Sequence, residues 1–198
     1  MRWPGWRSLL WVTAGLILIV ALRKGELDYA GKLAPLATPG ELKQRIVARN
    51  FALTVDGFRL AHAYRIAGAD AQAAPRVLST PGVWVSVVLK LEALREPGLL
   101  NARIRTRDGS IYQANGDARP RARGVNLSGV EVAPGLPATG AFFFEMPPAE
   151  LPGAHLQVYW GGLTPTDMDS LIDVDLGTGA RSSDALAAQT VAEIDLRP

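Results

Sequence analysis

From Phe51 onward, apolar and polar residues alternate with a period of two, which restricts the chain to half-buried strands. Phe51, Leu53 and Val55 alternate with Asn50, Ala52 and Thr54. Val83, Val85, Val87, Leu89 and Leu91 alternate with Trp84, Ser86, Val88, Lys90 and Glu92. Ala102, Ile104 and Thr106 alternate with Arg103, Arg105 and Arg107, ahead of an Asp108-Gly109 turn signal. Phe142 and Phe144 form an inward pair. Leu156, Val158 and Trp160, then Ile172, Val174 and Leu176, then Ala192, Ile194 and Leu196 repeat the pattern. So many short strands, separated by Gly, Pro and Asp, predict an all-β antiparallel sandwich over residues 41–198. Only 42–49 and 184–190 read as short helices.

The N-terminus follows a different rule. Residues 8–22 carry no charge and are bracketed by Arg7 and by Arg23-Lys24. Fifteen residues span roughly 22 Å as a helix, short of the ~20 residues a bilayer requires. Counting over 3–22 reaches that length, with Arg7 near enough to the end for its stem to snorkel. Trp3, Trp6 and Trp11 suit an interfacial aromatic belt. The expectation is one transmembrane helix over about 3–22 within an anchor of residues 1–24. A cleaved signal peptide fits the basic start and the apolar core. It does not fit Arg23-Lys24, nor the lack of a nearby Ala-x-Ala site, so the run reads as an uncleaved signal anchor. Residues 25–40, with Pro35, Pro39 and Gly40, read as a juxtamembrane linker.

Composition narrows the function. A formal net charge of +2 gives no case for nucleic acid. Four lysines among 21 basic residues, with abundant Ala, Gly and Pro, suggest a GC-rich bacterial genome more than a partner. Without cysteine there is no disulfide, no lipobox and no thiol chemistry. His62 and His155, the only histidines, fall in no metal-binding spacing, and His155 reads as a surface residue. Leu33 stands where a phosphate loop after Gly31-Lys32 needs Ser or Thr, and no G-x-S-x-G elbow is present. No cofactor or metal is expected. Asp167, Asp169, Asp173 and Asp175 miss the EF-hand spacing.

Two clusters are candidate binding residues. Arg103, Arg105 and Arg107 on one strand face, with Arg119, Arg121 and Arg123 in the following loop, offer bidentate donors to phosphate or anionic headgroups. The competing reading is a solvated face neutralised by cross-strand partners, Asp173 and Asp175 among them. Trp84 and Val88 share an outward face, and Tyr159 faces outward on its own strand. Together they form an exposed partner-binding patch unless another segment covers them.

The order of segments resembles the telokin-like, immunoglobulin-like extracytoplasmic domains of Gram-positive, especially actinobacterial, surface proteins. The matching pieces are RNFALTVDGFRL, VWVSVVLKLEAL, IRTRDGSIYQA, the Val132-Ala133-Pro134-Gly135 turn with GAFFFEMP after it, and AEIDLRP. The family has largely no assigned activity, so the resemblance implies an immunoglobulin-like sandwich displayed outside the cytoplasm and supplies no catalytic residues. It also sets the orientation, since the positive charges flanking the helix nearly balance. The expected function is a non-enzymatic, single-pass cell-membrane protein that binds or scaffolds another envelope component. The partners are the lipid bilayer through the helix, an envelope protein, and anionic lipid or wall polymer at the arginines. The alternative is an accessory subunit of a membrane transporter or envelope-biogenesis complex.

Overall fold

The computed structural model describes residues 5–24, 34–67, 74–114, 120, 124–161 and 169–196. The chain divides into two compact units, Met1–Ala34 and Pro35–Pro198. The first contains helix α1 (Trp6–Lys24), about 28 Å long at about 1.5 Å per residue. Its apolar side chains are exposed from Leu10 to Val20, with Trp11 80% exposed. Among the described residues, no helix is long and apolar enough to cross a membrane.

The second unit is built from strands. In chain order they are β1 (Leu36–Glu41), β2 (Arg45–Val47), β3 (Phe51–Ile66), β4 (Arg76–Ala93), β5 (Gly98–Arg105) and β6 (Ile111–Gln113). Then come β7 (Glu131–Val132), β8 (Ala138–Met146), β9 (His155–Trp160), β10 (Ser170–Asp175), helix α2 (Ser183–Ala188) and β11 (Val191–Asp195). Sheet A runs β1-β10-β9-β5-β6, with β7 also pairing β5. Sheet B runs β11-β3-β4-β8, with β2 also pairing β3. Inward residues of both sheets form one core, in which Phe142, Phe144, Val85, Leu89, Ile104, Leu156 and Ile172 are fully buried. The fold is thus a β-sandwich, as the period of two predicts.

Turn chemistry places the strands. Asp108-Gly109 closes the β5–β6 hairpin, where Gly109 adopts φ 92° and Thr106 N–H donates to Ser110 O at 3.0 Å. In β4, Pro81-Gly82 coincides with a register shift against β3 between Ala61 and Ala63. A Cβ on Gly82 would lie 2.8 Å from Met146 O, so β8 approaches there only because the residue is glycine. Ser182 caps α2 by accepting from Ala185 N–H.

Three expectations change. The sheets are not wholly antiparallel, because β1 runs parallel to β10 and β11 parallel to β3. Residues 36–40, read as linker, belong to edge strand β1, where Pro39 is tolerated because an edge position does not require its missing N–H. Residues 42–49 hold a turn and β2, since pairing of Ile46 with Leu53 on β3 overrides local helix propensity. The helix expected at 184–190 is present as α2.

The outer face of sheet B carries a second apolar layer. Tyr64, Trp84 and Phe143 are buried there with Ala61, Ile66 and Ala141, and Val88, Val125, Ile194 and Leu196 pack against them. The Tyr64 ring meets Phe143 edge-on at 5.3 Å and lies 6.1 Å from Trp84. No hydrogen bond of ordinary geometry reaches the Tyr64 hydroxyl among the described residues. Burial pushes its pKa from 10.0 up to about 12, against the smaller opposing pull of Ser86 and Arg59.

Two predictions follow from these layers. Phe144→Ala should cost about 3–5 kcal/mol in a urea titration, because the ring is fully buried. Tyr64→Phe should change stability by less than about 1 kcal/mol in either direction, because the buried hydroxyl has at most a weak interaction with Ser86 to lose. The sign of the pH effect is fixed by the raised pKa. Below pH 10 tyrosine is protonated in both states; between 10 and about 12 the unfolded form releases its proton first, so stability falls as pH rises. Thermal melts across that window should show the fall in the parent and a shallower one in Tyr64→Phe, Tyr112 keeping part of it through its own pKa of about 12.

Candidate functional site

The outer face of sheet A is polar, and its register explains why the side chains meet. One row across the strands is Pro39, Asp173, Gln157, Arg103 and Gln113. The next is Glu41, Asp175, His155, Arg105 and Ile111. Side chains of adjacent rows are within reach across the diagonal.

Asp173 is the hub. Its Oδ2 accepts from Arg105 Nη2 at 3.1 Å and from Gln157 Nε2 at 2.7 Å, while His155 Nδ1 lies 2.7 Å from its Oδ1. Gln157 passes the network on, its Oε1 accepting from Arg103 Nε at 2.8 Å. The Arg103 guanidinium stands 5.8 Å over the Tyr159 ring. The Tyr159 hydroxyl donates to Gln113 at 3.1 Å. Burial lowers the Arg103 pKa and raises that of Tyr159, and each group's proximity to the other eases its own shift. Asp175 accepts from Gly177 N–H at 2.8 Å.

A groove of about 780 Å³ lies on this face, with Glu41, Arg105, His155, Asp173 and Asp175 among its lining residues. Charges of both signs therefore face it. A histidine fixed by a carboxylate is the orienting half of a nucleophilic arrangement, but the described lining residues include no Ser, Thr, Lys or Cys. Among the described residues no group of three or more His, Asp or Glu is placed to hold a metal. What the arrangement can do is present a fixed set of donors and acceptors to a polar ligand or protein surface.

The predicted site residues are partly brought together. Arg103 and Arg105 share the outer face as expected, but each is already engaged. Arg107 lies beyond the end of β5, with its Nη2 3.4 Å from Gly179 O, so the row holds two arginines rather than three. Arg119, Arg121 and Arg123 lie outside the described residues, as does Asp167. Trp84 and Tyr159 form no common exposed patch. Trp84 is 2% exposed in the outer layer of sheet B, and Tyr159 is 1% exposed on sheet A beneath Arg103. Val88 is half-buried against the Trp84 layer. Both aromatics point outward as the alternation predicts, but alternation does not reveal what covers a face. The reading of His155 as a plain surface residue missed its bond to Asp173; the signal available was their shared outward position on neighbouring strands.

No family model matches the chain, and no curated protein matches it. Three solved structures are similar to it: an uncharacterized β-sandwich protein of Clostridium difficile 630, at 8% identity over 71% of this chain and 96% of that one, with a TM-score of 0.43; the secreted protein MPT63 of Mycobacterium tuberculosis, at 17% identity over 71% and 98%, with a TM-score of 0.42; and the yjhA protein of Bacillus subtilis, at 14% identity over 68% and 99%, with a TM-score of 0.43. At these scores the likenesses transfer no function, and the two-sheet architecture rests on its own strand pairing.

The network predicts unequal roles for its members. Asp173→Ala should cost about 1–3 kcal/mol, since it strips partners from buried Gln157 and from His155. Arg105→Gln should cost less than about 1 kcal/mol, because that side chain is 46% exposed. Urea titrations of the two variants and their double mutant check the ordering and give the coupling.

Proposed function

We propose that this is a non-enzymatic, membrane-attached envelope protein. Helix α1 sits in the bilayer as a single-pass anchor, and the sandwich, outside the cytoplasm, uses the outer face of sheet A to bind another envelope component. The observation that carries the reading is the contrast between the two units. The sandwich has its own buried core, whereas the α1 side chains Leu10, Val12, Leu16, Ile17, Leu18 and Ile19 are all more than half exposed. Leaving them in water forgoes about 25 cal/mol per Å² of apolar surface. A lipid environment removes that penalty. With 15 uncharged residues the helix is short for a span, so the fit requires Arg7, Arg23 and Lys24 to lie among the headgroups.

The mixed charge of the sheet A face favours a protein partner of complementary pattern over a simple polyanion. Arg103 and Arg105 are each already held by a sheet A partner, Gln157 and Asp173, so a phosphate or anionic lipid competes there with an existing bond. Envelope display agrees with the sequence resemblance to surface domains. Gly15 supports the accessory-subunit alternative in one respect, since next to Ala14 it offers a small-residue surface to a neighbouring helix.

Purification of full-length protein in mild detergent from carbonate-washed membranes tests the reading. The protein should stay with the membranes and bring a partner with it. A variant with Val12, Leu16 and Ile19 replaced by Lys should wash off. The double variant Arg103→Ala, Asp173→Ala should remain anchored and lose the partner. Release of the parent by carbonate overturns the anchor; a partner that survives the double variant overturns the binding face and favours contact through α1.

A further inference from the structure

One edge of β3 is covered in two pieces. β2 pairs with Ala52, Leu53 and Thr54, and β11 pairs from Ala61 onward. Between them, the Val55 carbonyl accepts from Lys43 N–H at 2.7 Å, and residues 56–60 have no strand partner on that side among the described residues. The register shift between Val55 and Gly57 falls in the same gap. A bulge there bends the edge and disfavours addition of another strand.

The gap opens into a recess of about 680 Å³, within the size range of small-molecule pockets. Its apolar lining comes from Leu42, Phe58, Leu60, Val191 and Ile194. Leu42 and Phe58 are only partly buried against the main core, and Val191 is 46% exposed. Arg59 and Arg181 line the same recess and are both exposed. Its only lining carboxylate among the described residues, Glu193, is engaged by Arg65 at 2.6 Å. Arg181 Nη1 donates to Gln189 at 3.2 Å, and among the described residues its other donors have no side-chain partner. The recess therefore combines an apolar floor with an excess of positive charge.

We propose that this recess binds a free fatty carboxylate. Its chain lies along Phe58, Leu60, Val191 and Ile194, and its head group is held by Arg59 and Arg181. Guanidinium groups match a carboxylate's two oxygens, and the apolar floor rewards a chain that a simple anion lacks. The site adjoins the sheet A groove at Leu42, which lines both, and does not depend on that groove having a partner.

The test is photolabelling of the full-length protein with a diazirine analogue of dodecanoate, followed by mass-spectrometric mapping of the adducts. Adducts should concentrate at Phe58, Leu60, Val191 and Ile194. Unlabelled dodecanoate should compete with them, and dodecan-1-ol should not. The double variant Arg59→Gln, Arg181→Gln should lose labelling there by about tenfold, as expected for lost bonds to a charged group. Arg59→Lys, Arg181→Lys should retain most of it. Adducts confined to α1, equal competition by dodecan-1-ol, or competition by phosphatidylglycerol nanodiscs but not by dodecanoate would each overturn the proposal. Undiminished labelling in a Gln variant with unchanged melting temperature would also overturn it. If the Gln variant unfolds, the competition arms and the Lys variant decide.

Discussion

The ladder β3–β4–β8 is buried on both faces around Trp84 and Phe143, and the remaining elements depend on it. On its inner side Val85 and Val87 meet Leu60, Phe58, Phe144 and Phe142 by register and close the core against sheet A. On its outer side Trp84 and Phe143 pack against Tyr64, tilted and edge-on respectively. A one-residue slip in a strand exchanges its faces. Here the slip would put Ser86 into the main core in place of a valine, and valine opposite the aromatic layer. Register is thus held from both sides, which matters in a chain with no cysteine to lock it covalently.

The sequence makes the spine of the fold legible because strand periodicity is local. β3, β4, β5, β8, β9, β10 and β11 all lie where apolar residues alternate, and the Asp108-Gly109 turn is where its residue types place it. The edges are less legible. β1, with the sequence LATPGE, has neither alternation nor β-branched density; it is a strand because β10 offers it a free parallel edge. β2 has good helix formers around it and is extended because β3 pairs with it. The burial of Trp84 had a local sign. Val83 to Val88 is almost continuously apolar, and Phe142, Phe143 and Phe144 stand in succession, the pattern of a strand covered on both faces.

The candidate site was half legible for a related reason. Alternation puts Arg103, Arg105, His155, Gln157, Tyr159 and Asp173 on outward faces, but which of them touch depends on strand order. Arg105 and Asp173 are 68 residues apart in sequence and are joined only because β9 lies between their strands and pairs both. Nothing local specifies that order. The opposite-charge partners weighed for the arginine row are real at one position, Arg105 with Asp173, whereas Arg103 is held by an amide and an aromatic ring.

The two outward faces solve one problem in different ways. Sheet B hides its outer surface under an apolar layer, and sheet A satisfies its outer surface with side chains that bond one another. The second solution is rigid, since each member of the Asp173 network is held by a neighbour, so little further ordering is required on binding. It is also largely satisfied, so a partner must supply equivalent bonds for any it displaces. That combination favours a protein surface able to match several groups at once over a single small anion. The recess beside β3 has the opposite character. Its apolar lining is incompletely covered and its arginines exceed its carboxylates, so a small amphiphile would gain contacts there without first breaking any internal ion pair.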